Sequence, residues 1–155
     1  MCSALFCSMS YGQSGPMQYK SFNDTSFVIG DKILASRISF NFNGNNEVIP
    51  EYYDSVKVIA DFLNRNPKLR IEIGAHTDCR GNDTDNVKLS EYRATSVFDL
   101  LVRRYGTDGK RIEVKGYGES APLIAENEIR KCEDYNKKEE MHAINRRVEI
   151  KIIEK

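Results

Sequence analysis

The chain has no surplus of charge of either sign, since 23 lysines and arginines balance 23 aspartates and glutamates. Without a net positive field there is no global attraction for nucleic acid, so that class of partner is disfavoured. Long apolar runs are missing too. Val97-Phe98 and Leu100-Leu101-Val102 fall far short of the roughly 20 residues that span a bilayer as a helix. Four cysteines among 155 residues are too few for a disulfide-dense scaffold. Only two histidines occur, His76 and His142, and the patterns Gly-x-Ser-x-Gly, His-Glu-x-x-His and Cys-x-x-Cys are absent. What is present is ordinary: 40% hydrophobic and 30% charged residues, enough for one globular domain. A domain of this size buries about 70% of the surface of its unfolded chain.

Residues 1–15 differ from the rest, being small, mildly apolar and uncharged, and they hold Cys2 and Cys7. Ala4-Leu5-Phe6-Cys7 reads as the tail of a secretory leader, with Ser8, Ser10 and Gly12 as cleavage positions. No Lys or Arg precedes the run, so the leader reading places the true start upstream; a disordered tail is the other reading. A lipoprotein anchor fits poorly, because bulky Phe6 precedes Cys7. Removal of a leader leaves Cys79 and Cys132, an even pair that can bridge in an exported protein or stand as two thiols.

Residues 16–37 form a lead-in in which Phe27-Val28-Ile29 and Lys32-Ile33-Leu34 flank Gly30-Asp31, the pattern of a hairpin. The main domain is expected over 38–155. Ile38, Phe40 and Phe42 alternate with polar residues, which predicts a half-buried strand. Ile49, Tyr52, Tyr53, Val56, Ile59, Ala60 and Leu63 form one apolar stripe at helical spacing, with Pro50 at its start and Asn66-Pro67 at its end. Leu69, Ile71, Ile73, Ala75 and Thr77 predict a second strand, followed by a polar loop from Cys79 to Asn86. A second helix is expected from about Leu89 to Tyr105, stopped by Gly106. Ile112, Val114 and Gly116 make a third core strand, and Val148, Ile150 and Ile152 the last. Residues 125–143, with the charge run Lys137-Lys138-Glu139-Glu140, read as an exposed loop carrying a helical turn or two, its charges a solvated face. The sum is an α+β domain of order strand, helix, strand, helix, strand, insert, strand, with helices on one face of a small mixed four-stranded sheet.

Nothing in this pattern points to an enzyme. His76 and Asp78 share a strand face, as a metal or acid–base pair requires, but no third ligand is evident. Gly116-Tyr117-Gly118-Glu119 lacks the following helix and Gly-Lys of a phosphate loop and reads as a turn. Asp83 and Asp85 lack the central Gly and closing Glu of a calcium loop. No cofactor is implied. More informative is Asp78 at a strand end with Arg93 one turn into the next helix. A carboxylate and a guanidinium across a cleft, beside a helix N-terminus, match a zwitterion: Asp accepts from an ammonium and Arg grips a carboxylate. A plain Asp78–Arg93 salt bridge is the alternative, and spacing does not choose between them.

His76-Thr77-Asp78-x-x-Gly81 followed by Asn86-x-x-Leu89-Ser90-x-x-Arg93-Ala94 resembles the core motif of the OmpA-like peptidoglycan-binding domain. Gly116-Tyr117-Gly118-Glu119, Pro122 and Asn145-Arg146-Arg147-Val148-Glu149 agree with it, over roughly residues 38–153. The resemblance implies a periplasmic, non-catalytic module that binds the cell wall through the diaminopimelate residue of the stem peptide. Such a module tethers the outer membrane or another envelope component. Carried over by residue, Asp78 takes the ammonium, with Thr77 beside it, and Arg93 takes the carboxylate. Asn86 is a polar pocket residue, Leu89 supports the wall, and Asn43 and Arg146 make further contacts; Arg147 serves structurally on the opposite face. Departures lie at Asn41, where an aspartate is common, and at Phe42. The long insert, with Cys79 and Cys132, resembles a Bacteroidetes-like variant in which those cysteines tie the insert to the pocket loop. A protein-interaction domain on the same fold, its pocket blocked by Phe42 or the insert, is the alternative function.

Overall fold

The computed structural model describes residues 18–35, 38–41 and 46–155. Expectations for the leader in 1–15, for Cys2 and Cys7, and for Phe42 and Asn43 lie outside the described residues. Four strands form one mixed sheet: β1 (Lys32–Ala35), β2 (Arg70–Ala75), β3 (Ile112–Gly116) and β4 (Val148–Glu154), in the order β1-β4-β2-β3. β4 lies antiparallel to both β1 and β2, while β2 and β3 are parallel. The parallel pair needs a crossover, and α2 (Asp83–Asp99) supplies it. The α+β architecture read from the sequence is the one observed.

Alternation decides which face each strand buries. Ile33 and Ala35 of β1 sit opposite Ile150 and Val148, and Ile71, Ile73 and Ala75 of β2 sit opposite Ile152, Ile150 and Val148. These residues meet α1 (Tyr53–Arg65) through Val56, Ile59, Ala60, Phe62 and Leu63, and α2 through Ala94 and Val97, in one apolar cluster. Phe22 and Phe27 pack edge-on against Phe62, 5.5 and 5.1 Å between centroids. Pro50 opens a short 3₁₀ turn (Pro50–Tyr52) that leads into α1. Arg111 braces its other end, donating to the carbonyls of Leu63, Asn66 and Leu69 across the turn that leads into β2.

Five expectations need correction. The hairpin over 27–34 does not form: 27–29 is not strand, and β1 pairs with β4. Backbone bonds from Gly30 N–H to the Ile152 carbonyl (2.8 Å) and from Ile152 N–H to the Asp31 carbonyl (2.9 Å) extend that ladder. Residues 38–41 are accordingly not a strand of the main sheet. Phe40 instead makes an isolated antiparallel bridge with Val48, flanked by Asn41–Glu47 and Ile49–Ser39 backbone bonds. Because β1 belongs to the sheet, the folded unit reaches back before residue 38. α2 begins at Asp83, six residues before the expected start, because Asn82 caps it by accepting from the Asp85 N–H. Its C-terminal continuation, Leu100–Arg104, winds as a π-turn, with Tyr105 N–H donating to the Leu100 carbonyl. β3 is an edge strand rather than a core strand; Ile112 is buried but Val114 is exposed. The insert holds two helices, α3 (Glu126–Lys131) and α4 (Tyr135–Asn145), the latter capped by Asp134 accepting from the Lys137 N–H.

Candidate ligand-binding site

The C-terminal end of β2 and the loop after it deliver Thr77 and Asp78; α2 delivers Asn86, Leu89 and Arg93; the α4–β4 junction delivers Arg146. These six line one open cleft of about 280 Å³, together with Arg80 and Glu139. The structure therefore brings together every ligand-contact residue expected from the sequence that falls within the described residues.

Close packing at the end of β3 sets the cleft's position. A Cβ on Gly116 would lie 2.5 Å from the Glu91 amide nitrogen and 2.7 Å from Ser90 Oγ, so only glycine lets β3 approach α2 this closely. Ser90 Oγ then donates to the Val87 carbonyl and accepts from the Gly118 N–H. Thr77 N–H donates to the Gly118 carbonyl (2.9 Å), which pins the strand end to the same turn. The Gly116–Glu119 motif is thus a packing turn, as its sequence context implied. Asn86 braces the loop between β2 and α2: its amide nitrogen donates to the carbonyls of Asp78 (3.3 Å) and Arg80 (3.2 Å) and to Glu119. Asn86 lines the cleft, but its donor is spent on the loop. Gly81, at φ +105, makes the turn that this brace closes.

Asp78 is 6% exposed, and its carboxylate is fully engaged. Arg80 grips it with Nε on Oδ1 (3.1 Å) and Nη2 on Oδ2 (2.6 Å), and the Arg80 backbone N–H adds a third bond to Oδ1. Arg146 Nη1 adds a fourth at 2.7 Å. Burial alone would raise the Asp78 pKa, but the bonds from Arg80 and Arg146 outweigh it and take it down to about 2. Glu139 of α4 accepts from both guanidiniums, Arg80 at 2.9 Å and Arg146 at 3.0 Å.

Arg93 stands differently. It is 6% exposed, its Nε has no partner, and it pairs with no carboxylate among the described residues. Its guanidinium lies over the Phe40 ring, 5.3 Å from the centroid. Burial, then repulsion from Arg146, lowers its pKa, with Asp78 opposing. The plain Asp78–Arg93 salt bridge does not form. Three guanidiniums face two carboxylates in the cleft, which leaves one positive charge uncompensated and disposes the site toward an anion. Arg93 and Arg146 also border a neighbouring hollow of about 410 Å³ lined by Ile38, Phe40, Ile49 and Tyr52.

His76 is not presented with Asp78 as a reactive pair. Its ring stacks on Tyr117 at 4.8 Å, with Nε2 3.7 Å from the Glu149 carboxylate, and burial lowers its pKa. Among the described residues no group of three or more His, Cys, Asp or Glu side chains is placed to hold a metal ion. Arg147 serves structurally: its guanidinium donates to Glu149, to the Asn145 carbonyl and to the Ala121 carbonyl. Cys79 and Cys132 are free thiols, so the expected bridge between pocket loop and insert is not formed. The insert reaches the cleft through Arg80–Glu139 instead. Sequence reasoning passed over both of those residues. Arg80 is one of the two open positions in Asp78-x-x-Gly81, and Glu139 lies in the charge run read as a solvated face; helical phase in α4 was the missing signal.

The model of the OmpA family matches residues 40–135. The chain belongs to the OmpA family. Outer membrane porin F of Pseudomonas aeruginosa is 39% identical over 115 residues, covering 74% of this chain and 30% of the porin. The peptidoglycan-associated lipoprotein of Legionella pneumophila is 37% identical over 100 residues, covering 64% of this chain and 51% of that protein. The chain thus spans a third to a half of the length of these relatives. Among solved structures, the cell wall anchor of the T6SS from Pseudomonas aeruginosa superposes with a TM-score of 0.58 at 29% identity, covering 80% of each chain. The motif residues of this OmpA-family domain, from His76 to Arg93, fall within the matched segment; Arg146 lies beyond it.

Proposed function

We propose that this domain binds peptidoglycan without cutting it and tethers an envelope component to the cell wall from the periplasmic side. The ligand is the free end of a stem-peptide diaminopimelate, which carries an ammonium and a carboxylate on one carbon. The observation that carries this reading is Asp78 and the uncompensated Arg93 lining one open cleft. Asp78 accepts the ammonium, and Arg93, with Arg146 beside it, holds the carboxylate with charge-assisted bonds. Thr77, whose buried hydroxyl has no partner, lines the cleft beside Asp78, and Leu89 forms the wall. Family membership and the similarity to a peptidoglycan-associated lipoprotein support the same reading. No helix of the described residues is long and apolar enough to cross a membrane.

Co-sedimentation with purified sacculi tests it. The unaltered domain should pellet, and folded Asp78→Ala and Arg93→Ala should stay in the supernatant. Truncating one partner of a buried, hydrogen-bonded charge pair costs on the order of 2–5 kcal/mol of binding. Arg93→Lys should also fail, because a point charge cannot reproduce a bidentate grip. A second reading, an envelope protein-interaction domain without wall binding, draws on Arg80 and Glu139, which occupy the cleft as it stands. Failure of the folded, unaltered domain to pellet would select that reading.

A further inference from the structure

We propose that Arg80 and Glu139 form a displaceable internal zwitterion that fills the cleft's charge positions and makes the site select ligands carrying both an ammonium and a carboxylate. The inference rests on the wall-binding reading and deepens it.

The Arg80 guanidinium sits bidentate on Asp78, where that reading places a ligand ammonium. The Glu139 carboxylate sits on Arg146, beside where it places a ligand carboxylate. The two are also bonded to each other, at 2.9 Å. Both side chains are exposed, Arg80 at 53% and Glu139 at 41%, whereas Asp78 is buried. They can therefore swing out as an ion pair, still satisfied by each other and by water, with little desolvation to oppose the move. The buried groups they leave behind cannot do the same. Asp78 keeps Arg146 at 2.7 Å but loses both side-chain bonds from Arg80 on a carboxylate that is only 7% exposed, and half-buried Arg146, left with Asp78 as its one carboxylate, stands closer to uncompensated beside Arg93.

A ligand with both charges replaces both partners at once. A ligand with an ammonium alone displaces Arg80 but leaves Glu139 on Arg146, its other cation gone. A ligand with a carboxylate alone competes with Glu139 while Arg80 keeps Asp78. Arg80 and Glu139 thus determine specificity through what they occupy, and they come from two segments, the β2–α2 loop and the insert helix α4.

The test is calorimetric titration with three probes: the tripeptide L-Ala-γ-D-Glu-meso-diaminopimelate, the same tripeptide ending in L-lysine, and the same tripeptide ending in 2-aminopimelate linked so that only the distal carboxylate is free. The proteins are the unaltered domain, Arg80→Gln, Glu139→Gln and the double variant, each checked for an unchanged circular dichroism spectrum. Arg80→Gln should bind the lysine probe about tenfold tighter than the unaltered domain does, and Glu139→Gln should do so for the carboxylate-only probe, the scale of one charge-assisted hydrogen bond. The double variant should bind the diaminopimelate probe at least as tightly as the unaltered domain. An unaltered domain that binds nothing beside a double variant that binds diaminopimelate would show that the pair blocks the cleft and does not yield to ligand, which overturns the displaceable latch. If the unaltered domain binds diaminopimelate and the variants bind every probe equally or more weakly, the latch is wrong while the wall-binding reading stands. If no folded protein binds any probe, both fall.

Discussion

Two buried carboxylates of this domain, Asp78 and Glu149, are both held by arginine, and they are built for opposite ends. Glu149 is 2% exposed on the sheet face away from α1 and α2. It accepts from Arg147 Nε (2.7 Å), Lys32 Nζ (2.8 Å) and the Tyr19 hydroxyl, and Arg147 is itself 5% exposed and anchored to two backbone carbonyls. Burial opposes its ionised form, but His76, Lys32 and Tyr19, with the Arg147 charge, outweigh burial and hold the Glu149 carboxyl well below the usual range. Tyr19, by burial and by donating to Glu149, is pushed up to about 12. Asp78 has strong bonds too, but its partners are solvent-facing side chains with a second carboxylate at hand. The Glu149 set is anchored to the backbone through buried Arg147, whereas the Asp78 set ends in the exposed Arg80, the partner that the proposed latch would exchange for ligand.

The largest effect should come from Glu149→Ala. Removing one member of a buried charge set strands Arg147 and Lys32, at a cost of about 3–5 kcal/mol in urea unfolding. Asp78→Ala should cost about 1 kcal/mol or less, because Arg80 and Arg146 fall back on Glu139, while binding to sacculi is lost. Equal destabilisation by the two variants would break the comparison.

Acid titration sharpens it next. Both groups have depressed pKa values in the folded state, so each contributes stability that is present above its unfolded value and is lost as pH falls through its folded one. For Asp78 the window runs from 3.8 down to about 2. For Glu149 it begins at 4.5 and extends lower. Urea midpoints measured across this range should flatten more in Glu149→Gln than in Asp78→Asn.

His76 gives a smaller effect at milder pH. Burial keeps its ring neutral, so the unfolded chain takes up a proton below about 6.5 that the folded one refuses, and stability declines as pH falls from there. His76→Gln should remove that part of the slope and, because the ring also faces the Glu149 carboxylate at 3.7 Å, narrow the Glu149 window without abolishing it. The smallest expected effect is from dithiothreitol. With Cys79 and Cys132 as free thiols, reduction should leave the thermal midpoint unchanged, and a drop would mean that the two do bridge in solution.

Much of this was legible in the chain. The stripe from Tyr53 to Leu63 and the alternation in 69–77 and 148–152 report burial directly, because a helix or strand must turn its apolar residues to one side. The glycines of 116–119 were read as a turn without a view of Ser90, whose proximity explains them. Asp78 and Arg93 were read as one site from their places at a strand end and one helical turn further on. The edge strand was misplaced because 32–34 and 38–42 carry the same local pattern. Only the backbone bonds from Gly30 and Asp31 to Ile152, more than a hundred residues away, choose between them.

Local order alone determined the main helices, the central strands and the OmpA-family motif, since each depends on spacing within a short window; Thr77, Asn86, Leu89 and Arg146 entered through the resemblance that motif carries. Tertiary structure decided the pairing of charges. Asp78 meets Arg146, Arg80 meets Glu139, and Glu149 meets Tyr19 and Lys32 only once the sheet order brings distant segments together. Charge attraction depends on distance and on burial, and neither is written in the order of residues; the fold sets which charges meet and how deeply each pair is buried.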